Sequence, residues 1–269
     1  MKPFNQFPQN TRDRIRFVLT DIDDTLTLEG RVVPAAFAAM ERLQSAGHRV
    51  VPITGRPAGW CDHIARMWPV DAVVGENGAF YFRYDRREKK MRRVFWKSDA
   101  ERSQDRRKLA RIKTKILETV PGCRVSADQA YRETDLAIDF CEDVPPLPMS
   151  AVDEIVRCFT EAGAQAKISS IHVNGWFGGY DKLSMTRRLF EGVFSETLDH
   201  VRDQTVFCGD SPNDAPLFAY FPHAVGVANI QRFLDRMVSP PAWVTEHEGG
   251  EGFAEMVEGL LGIKRAEDR

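Results

Sequence analysis

The stretch FVLTDIDDTLT, residues Phe17 to Thr27, passes from an apolar run directly into three carboxylates within four residues. The run FVLT is typical of a short buried strand. The carboxylates of Asp21, Asp23 and Asp24 repel one another, and a positive group beside them would offset this repulsion. This stretch therefore predicts a strand that ends in a cluster of carboxylates, with a positive group nearby.

Short β-branched runs alternate with helical patterns in the segments around this stretch. The predicted strands are RFVLT, HRVVPIT and DAVVG and, near the C-terminus, TVFCGD, HAVGV and AWVT. Residues 34–47 have apolar side chains at helical spacing, with Pro34 suited to the first turn and Gly47 to the C-terminal end. Further helices are predicted from about Asn213, from about Ile230 and in FAEMVEGLLG. The pattern indicates an α/β fold with a Rossmann-like parallel sheet core, formed by residues 1–83 and 179–269.

Residues 84–178 follow a different pattern: helix, strand, strand, helix, strand, strand. The helices are predicted in DAERSQDRRKLARIKTKILETV and MSAVDEIVRCFTEAG, and the strands in CRVSADQAY, DLAIDFC, AQAKIS and IHVNGWF. An αββ unit present twice predicts a sheet with helices on one face, and therefore an α+β domain inserted into the larger one. The basic run RREKKMRR is predicted to be a solvated hairpin.

The composition narrows the class of partner. Among 269 residues, 37 basic and 39 acidic side chains give a net charge of -2, which disfavours nucleic acid or an anionic membrane and favours a small molecule. Residues 1–16 contain no apolar targeting core, which predicts a cytoplasmic protein. Five cysteines without a CxxC pair are expected to be reduced thiols, and six histidines without ligand spacing leave carboxylates as the metal ligands. The oligomeric state stays open.

Polar side chains follow three of the predicted parallel strands. Asp21 follows FVLT, Thr54 follows VVPI and Asp210 follows TVFCG. Because ligands bind at the carboxyl ends of strands in open α/β sheets, these side chains are expected to converge. The candidate ligands for Mg²⁺, which prefers hard oxygen atoms, are Asp21, Asp23, Asp210 and Asp214. The Thr54 hydroxyl and the Lys182 ammonium would suit a phosphoryl group, whose oxygens need donors and positive charge.

Four motifs in this order resemble those of the haloacid dehalogenase superfamily of phosphotransferases. They are DIDDT, ITGR, YDKL and GDSPND. The resemblance implies that Asp21 is a nucleophile, that Asp23 is a general acid and base, and that Thr25 orients Asp23. Asp24 stands where the related motif commonly has a glycine, and its role stays open.

The resemblance also implies which groups hold phosphate and metal. Thr54 and Lys182 would hold phosphate, while Asp210 and Asp214 would hold Mg²⁺ directly or through water. The implied activity is a Mg²⁺-dependent phosphatase that proceeds through an aspartyl phosphate. A phosphomutase, and a binding or regulatory protein that has lost turnover, remain alternatives.

The inserted segment is similar to the second type of cap domain in this superfamily, with αββαββ order. ENGAFYF before it and GDSPNDAPLF after it resemble the phosphatases that act on sucrose, trehalose and mannosylglycerate phosphates, whereas GWFGGYDKL resembles phosphomannomutases of eukaryotic type. The resemblance therefore implies a phosphorylated sugar, or a related small metabolite, as the substrate and a cap that selects it.

Residues beside the motifs are further candidates for substrate binding. Gly55, Arg56 and Asn213 are expected near the phosphate, and Arg56 either reaches it or pairs with a nearby acid. The glycine-rich VTEHEGGEGF is expected to be a mobile loop near the cleft.

The last strand of the insert has two different faces. The polar and aromatic face, predicted to recognise a sugar, carries Ser170, His172, Asn174 and Trp176. Ile171 and Val173, on the other face, are expected to pack on the cap helices. In the alternative interpretation, His172 faces solvent and Trp176 is a core residue.

Overall fold

The chain folds around a parallel sheet, seen in a computed structural model that describes residues 1–169 and 171–263, except the side chain of residue 236. Ser170 lies outside the described residues. The strands are β1 (Lys2–Pro3), β2 (Phe17–Thr20), β3 (Thr27–Leu28), β4 (Arg31–Val32), β5 (Arg49–Pro52), β6 (Val73–Gly75), β7 (Phe80–Asp85), β8 (Lys90–Phe95), β9 (Arg124–Val125), β10 (Leu136–Asp139), β11 (Gln165–Ile168), β12 (His172–Trp176), β13 (Thr205–Gly209), β14 (His223–Gly226) and β15 (Trp243–Val244). The α-helices are α1 (Gln9–Arg12), α2 (Pro34–Ser45), α3 (Ala58–Met67), α4 (Asp99–Thr119), α5 (Met149–Glu161), α6 (Lys182–Leu189), α7 (Ala215–Tyr220) and α8 (Gly249–Leu261).

The central sheet has six parallel strands in the order β1-β15-β14-β13-β2-β5. A parallel bridge from Ile53 to Val74 continues it to β6. The chain leaves β2 toward β5 on one side, and β13 adjoins β2 on the other, so the direction of winding reverses at β2. The crevice at the carboxyl end of such a strand is the usual ligand site of an open α/β sheet.

Alternating side chains of the buried strands pack against helices on both faces. Val18 belongs to a core with α2 and α8, whereas Phe17 and Leu19 belong to a core with α6 and α7. This two-sided burial explains the continuous apolar run FVLT. The predicted α/β class with a Rossmann-like core is confirmed.

The insert forms an antiparallel sheet in the order β11-β12-β10-β9. Helices α4 and α5 pack on it around a core that includes Ile116, Phe159 and Val173. Val173 therefore packs on the helices as predicted, whereas Ile171 precedes β12 and lines a cavity described below.

The boundary predicted at residue 84 falls inside β7. Strands β7 and β8 form a hairpin that pairs with β6, and Phe80 and Phe82 belong to the core beneath α2 and α3. Sheet pairing thus assigns this basic hairpin to the larger unit, and an insert that runs from α4 to β12 fits the structure better.

Two local predictions were wrong. CRVSADQAY forms only the short strand β9 followed by a 3₁₀ turn at Ala127–Tyr131, because Asp128 accepts hydrogen bonds from Ser126 and Arg132 that hold the turn. Part of VTEHEGGEGF is the buried start of α8 rather than a loop: the Gly249 N–H donates to Asn229 Oδ1. Among the helices of the described residues, none is long and apolar enough to cross a membrane.

Candidate active site

Three buried carboxylates meet at the carboxyl end of β2. Asp21 directly follows β2, Asp210 directly follows β13, and Asp214 ends the 3₁₀ turn Pro212–Asp214. One oxygen atom from each lies within 4.8 Å of the others. A Cβ on Gly209 would lie 2.4 Å from Asp214 Oδ2, so only glycine leaves room for this arrangement.

The Lys182 ammonium bridges two of these carboxylates. Its Nζ lies 2.9 Å from Asp21 Oδ1 and 2.8 Å from Asp214 Oδ1. Lys182 is the first residue of α6, whose N-terminus is capped by Asp181. Gly78, with φ +106°, packs so closely that a Cβ there would lie 2.0 Å from the Asp181 carbonyl oxygen. The 3₁₀ turn Glu76–Gly78 therefore fixes the position of the backbone that carries Lys182.

The carboxylates outnumber the ammonium, so the cluster has an excess of negative charge. Burial raises the pKa of Asp21 to about 7, although Lys182 opposes the shift. Burial, followed by the charges of Asp214 and Asp21, raises the pKa of Asp210 well above its usual value. Hard oxygen donors with an uncompensated charge fit a small divalent cation such as Mg²⁺, and Asp21, Asp210 and Asp214 would hold it.

The Asp23 carboxylate turns away from this cluster. It accepts hydrogen bonds from Arg56 Nε at 2.9 and 3.1 Å, and Arg56 Nη2 lies 2.8 Å from it. The structure thus separates Asp23 from the three other predicted metal ligands. The sequence predicts that Arg56 either reaches the phosphate or pairs with an acid, and the structure shows the pairing with an acid. Its Nη1 also lies 3.4 Å from Glu142 Oε1 of the insert.

The threonines of the motifs make different contacts from those expected. Thr25 Oγ1 donates to Asp210 Oδ1 at 3.1 Å rather than to Asp23. Thr54 is fully buried, and its Oγ1 accepts from the Arg56 backbone N–H at 3.0 Å, which shapes the turn after β5. Asp24 has φ +56°, a left-handed conformation that explains why glycine suits this position.

A small polar cavity joins the carboxylates to the insert. Its volume is about 30 Å³, and its walls include Asp21, Asp23, Gly55, Arg56, Asn77, Arg132, His172, Asn174, Asp210 and Asn213. The structure therefore brings most of the predicted substrate-binding residues together around one space. The volume corresponds to only about two water-sized spheres.

Side chains of the insert that face this cavity are already paired with carboxylates. Asn174 Nδ2 donates to Asp135 Oδ2 at 2.9 Å. His172 Nε2 lies 2.9 Å from Glu142 Oε2, at ion-pair distance but without hydrogen-bond alignment. The His172 contact is the first cause of a lowered pKa for Glu142.

Trp176 does not line this cavity with His172 and Asn174. Its ring stacks on Tyr180 with centroids 5.8 Å apart, and both rings belong to the core shared with α2 and α8. The alternative interpretation of Trp176 as a core residue is the one that the structure supports, although one edge of the ring lines a smaller cavity beside Lys182.

Sequence reasoning missed two residues that tie the insert to the sheet. The Glu76 carboxylate accepts from the backbone N–H groups of Glu133 at 2.9 Å and Thr134 at 2.7 Å. Arg132 donates to the Gly55 carbonyl oxygen at 3.1 Å and pairs with Asp128 and Asp135. Glu76 lies within the quoted ENGAFYF. For Arg132, the neighbouring acids Asp128 and Asp135 predict only local ion pairs, and the sequence gives no signal for its contact with the distant Gly55 carbonyl oxygen.

Comparison with known proteins agrees with the fold. A family model described as haloacid dehalogenase-like hydrolase matches residues 18–111. No curated protein matches the sequence. The resemblance to the haloacid dehalogenase superfamily is confirmed by the family match and by the shared fold.

Solved structures share this fold at low identity. A protein from Thermoplasma acidophilum has a TM-score of 0.69 and 18% identity, over 92% of this chain and 98% of its own. The sucrose-phosphatase from Synechocystis, solved with sucrose and phosphate, has a TM-score of 0.63 and 16% identity, over 91% and 97%. A haloacid dehalogenase-like hydrolase from Bacteroides thetaiotaomicron has a TM-score of 0.64 and 16% identity, over 91% and 98%.

Proposed function

We propose that this protein is a phosphatase that hydrolyses the phosphate monoester of a sugar or related small metabolite through an aspartyl phosphate. The observation that carries the proposal is the Lys182 ammonium held between Asp21 and Asp214, with Asp210 beside them, at the strand ends. The hydrolase family match and the phosphatases among the similar structures support the same reaction class.

The nucleophile in this proposal is the Asp21 carboxylate. It attacks phosphorus in line, a P–O bond forms to Asp21, and the bond from phosphorus to the leaving oxygen breaks. Lys182 reduces the repulsion between the carboxylate and the phosphate, which for unit charges about 4 Å apart is on the order of 4 kcal/mol at an effective dielectric near 20. A bound Mg²⁺ would supply further positive charge for the phosphoryl oxygens.

Asp23 is the proposed acid and base. It protonates the leaving oxygen in the first step, then accepts a proton from the water that hydrolyses the aspartyl phosphate. Arg56 binds and orients its carboxylate, and Asp23 is not one of the three carboxylates grouped as cation ligands, which leaves it the proton-transfer role in this proposal. Thr54 supports this by fixing the Arg56 backbone.

The proposal is tested with a panel of phosphate esters. The wild-type protein with Mg²⁺ should release inorganic phosphate, and EDTA should abolish the release until Mg²⁺ is restored. Asp21→Asn should release none while its circular dichroism spectrum stays that of the wild type. Phosphate release that is unaffected in both experiments would disprove the mechanism, and conversion of a hexose 1-phosphate to the 6-phosphate without free phosphate would favour a phosphomutase.

A further inference from the structure

A second cavity begins where the polar cavity ends. Asp23 lines both of them. The second cavity has a volume of about 520 Å³ and lies among α3, the β3–β4 hairpin and the insert's Tyr131. Most of its wall is apolar and aromatic, with Trp60, Trp68 and Tyr131 as its largest side chains. We name it the aromatic cavity.

The sizes of the two cavities restrict where a substrate fits. The polar cavity, with about 30 Å³, has no room for a sugar ring or any other ring beside the phosphoryl group. The aromatic cavity has a volume within the range of about 300–1,000 Å³ that is usual for small-molecule sites. A leaving group larger than a few atoms therefore fits the second space and not the first.

The proposed chemistry also places the leaving group in the aromatic cavity. A general acid must lie within hydrogen-bond reach of the oxygen that it protonates, so the leaving group begins at Asp23. From Asp23, the aromatic cavity is the roomy space that adjoins the site. We infer that this cavity binds the leaving group of the substrate, and that the leaving group carries a ring with a flat apolar face; this inference rests on the proposed function.

The walls explain the preference for a ring. Trp60 is 43% exposed and Tyr131 is 59% exposed, so both side chains leave aromatic surface open to a ligand. Flat aromatic faces stack on sugar or aryl rings, and their burial by a ligand removes apolar surface from water. Tyr131 is set against α3 because Gly59 leaves it space: a Cβ there would lie 2.9 Å from Tyr131 Cβ.

Arg56 connects the two cavities. Its guanidinium stacks over the Trp60 ring with Cζ 4.5 Å from the centroid, and it binds the Asp23 carboxylate. Trp60 therefore supports Arg56, which positions Asp23. Tyr131 lines the cavity and, within the described chain, makes no hydrogen bond to Arg56 or Asp23, so its substitution tests ring binding separately from the position of Asp23. A ring that packs beside Trp60 would hold its phosphate oxygen close to Asp23.

The test compares three substrates with matched variants. p-Nitrophenyl phosphate offers an aryl ring, glucose 6-phosphate a sugar ring, and glycerol 3-phosphate no ring. For Tyr131→Ala and Trp60→Ala, kcat/KM for ring substrates should fall about tenfold or more relative to glycerol 3-phosphate. Trp96→Ala is the control, because Trp96 is similarly exposed at 37% but does not line this cavity. Thermal melting of each variant verifies folding.

Each result decides a different point. A selective loss for glucose 6-phosphate assigns a sugar leaving group, a selective loss for p-nitrophenyl phosphate alone assigns an aryl group, and losses for both assign any flat ring. Equal losses for all three substrates, or no loss in either variant, would overturn the inference while leaving the phosphatase activity intact. No hydrolysis of any phosphate ester by the wild-type protein would instead remove the proposed function, and this inference with it. Quenching of tryptophan fluorescence by p-nitrophenol, weaker in Trp60→Ala than in the wild type and in Trp96→Ala, gives a readout independent of turnover.

Discussion

The two walls of the polar cavity differ in how their charges are compensated. On the sheet side, the Lys182 ammonium pairs with Asp21 and Asp214, while Asp210 lies beside them and accepts from the uncharged Thr25 hydroxyl. On the insert side, Arg132 and Asn174 already bind carboxylates of the insert itself. The sheet wall therefore has an excess of negative charge that a cation would compensate, whereas the charge of Arg132 on the insert wall is already paired within the insert.

The largest expected effect comes from removing the ammonium of the sheet wall. Lys182→Met should lower kcat/KM on the order of 10³-fold, because the attacking carboxylate and the phosphate lose a charge that is preorganised between them. Lys115→Met, at an exposed position on α4, is the control and should retain wild-type kinetics. A steady-state assay with any hydrolysed ester measures both, and equal activity of the two variants would contradict the role of Lys182.

A glycine substitution tests whether backbone contact positions that ammonium. Gly78→Ala should destabilise the fold by more than about 3 kcal/mol, since its Cβ would meet the Asp181 carbonyl oxygen at 2.0 Å. Gly47→Ala is matched in backbone, with φ +90°, but has no atom within 4 Å of the new Cβ, so it should lose only about 1–2 kcal/mol. Urea unfolding compares them, and equal losses would show that the close contact is unimportant.

The charge excess of the sheet wall predicts an effect of metal on stability. Without Mg²⁺ at neutral pH, Asp210→Asn should be more stable than the wild type by about 1–2 kcal/mol. The wild type must on folding either keep a repelling charge on Asp210 or protonate a carboxyl that is ionised in the unfolded chain. Addition of Mg²⁺ should raise the melting temperature of the wild type and of the surface control Asp199→Asn but not that of Asp210→Asn. If addition of Mg²⁺ left the melting temperature of the wild type unchanged, the result would contradict the cation site.

The smallest expected effect on catalysis lies in the insert wall. Asn174→Ala leaves the buried Asp135 carboxylate with one donor fewer and should lower stability by about 1–2 kcal/mol. Its kcat/KM should fall less than about tenfold, because the amide serves the insert rather than the phosphate. Chemical unfolding and kinetics of the same preparation measure both quantities. A hundredfold kinetic loss at full stability would make Asn174 a substrate-reading residue, as the face of β12 first indicated.

The sequence predicts the sheet wall better than the insert wall for a physical reason. Asp21 and Asp210 follow apolar strands, and parallel strands align their carboxyl ends, so local patterns are enough to bring them together. The pairing of Arg56 with Asp23 depends on side-chain rotamers that no local pattern encodes. The aromatic cavity likewise depends on Trp60 and Tyr131, which come from distant segments and show no periodicity of their own.

The central claim, attack by Asp21 with Asp23 as acid and base, is tested most directly by a burst experiment. p-Nitrophenolate leaves without protonation, so Asp23→Asn should still form the aspartyl phosphate but hydrolyse it slowly. Stopped-flow absorbance at high enzyme concentration should then show a burst of about one p-nitrophenolate per protein molecule, followed by a slow phase. Mass spectrometry of the quenched protein should find one phosphoryl group, on the peptide that contains Asp21. Slow turnover without a burst and without a phosphorylated Asp21 peptide would contradict the account.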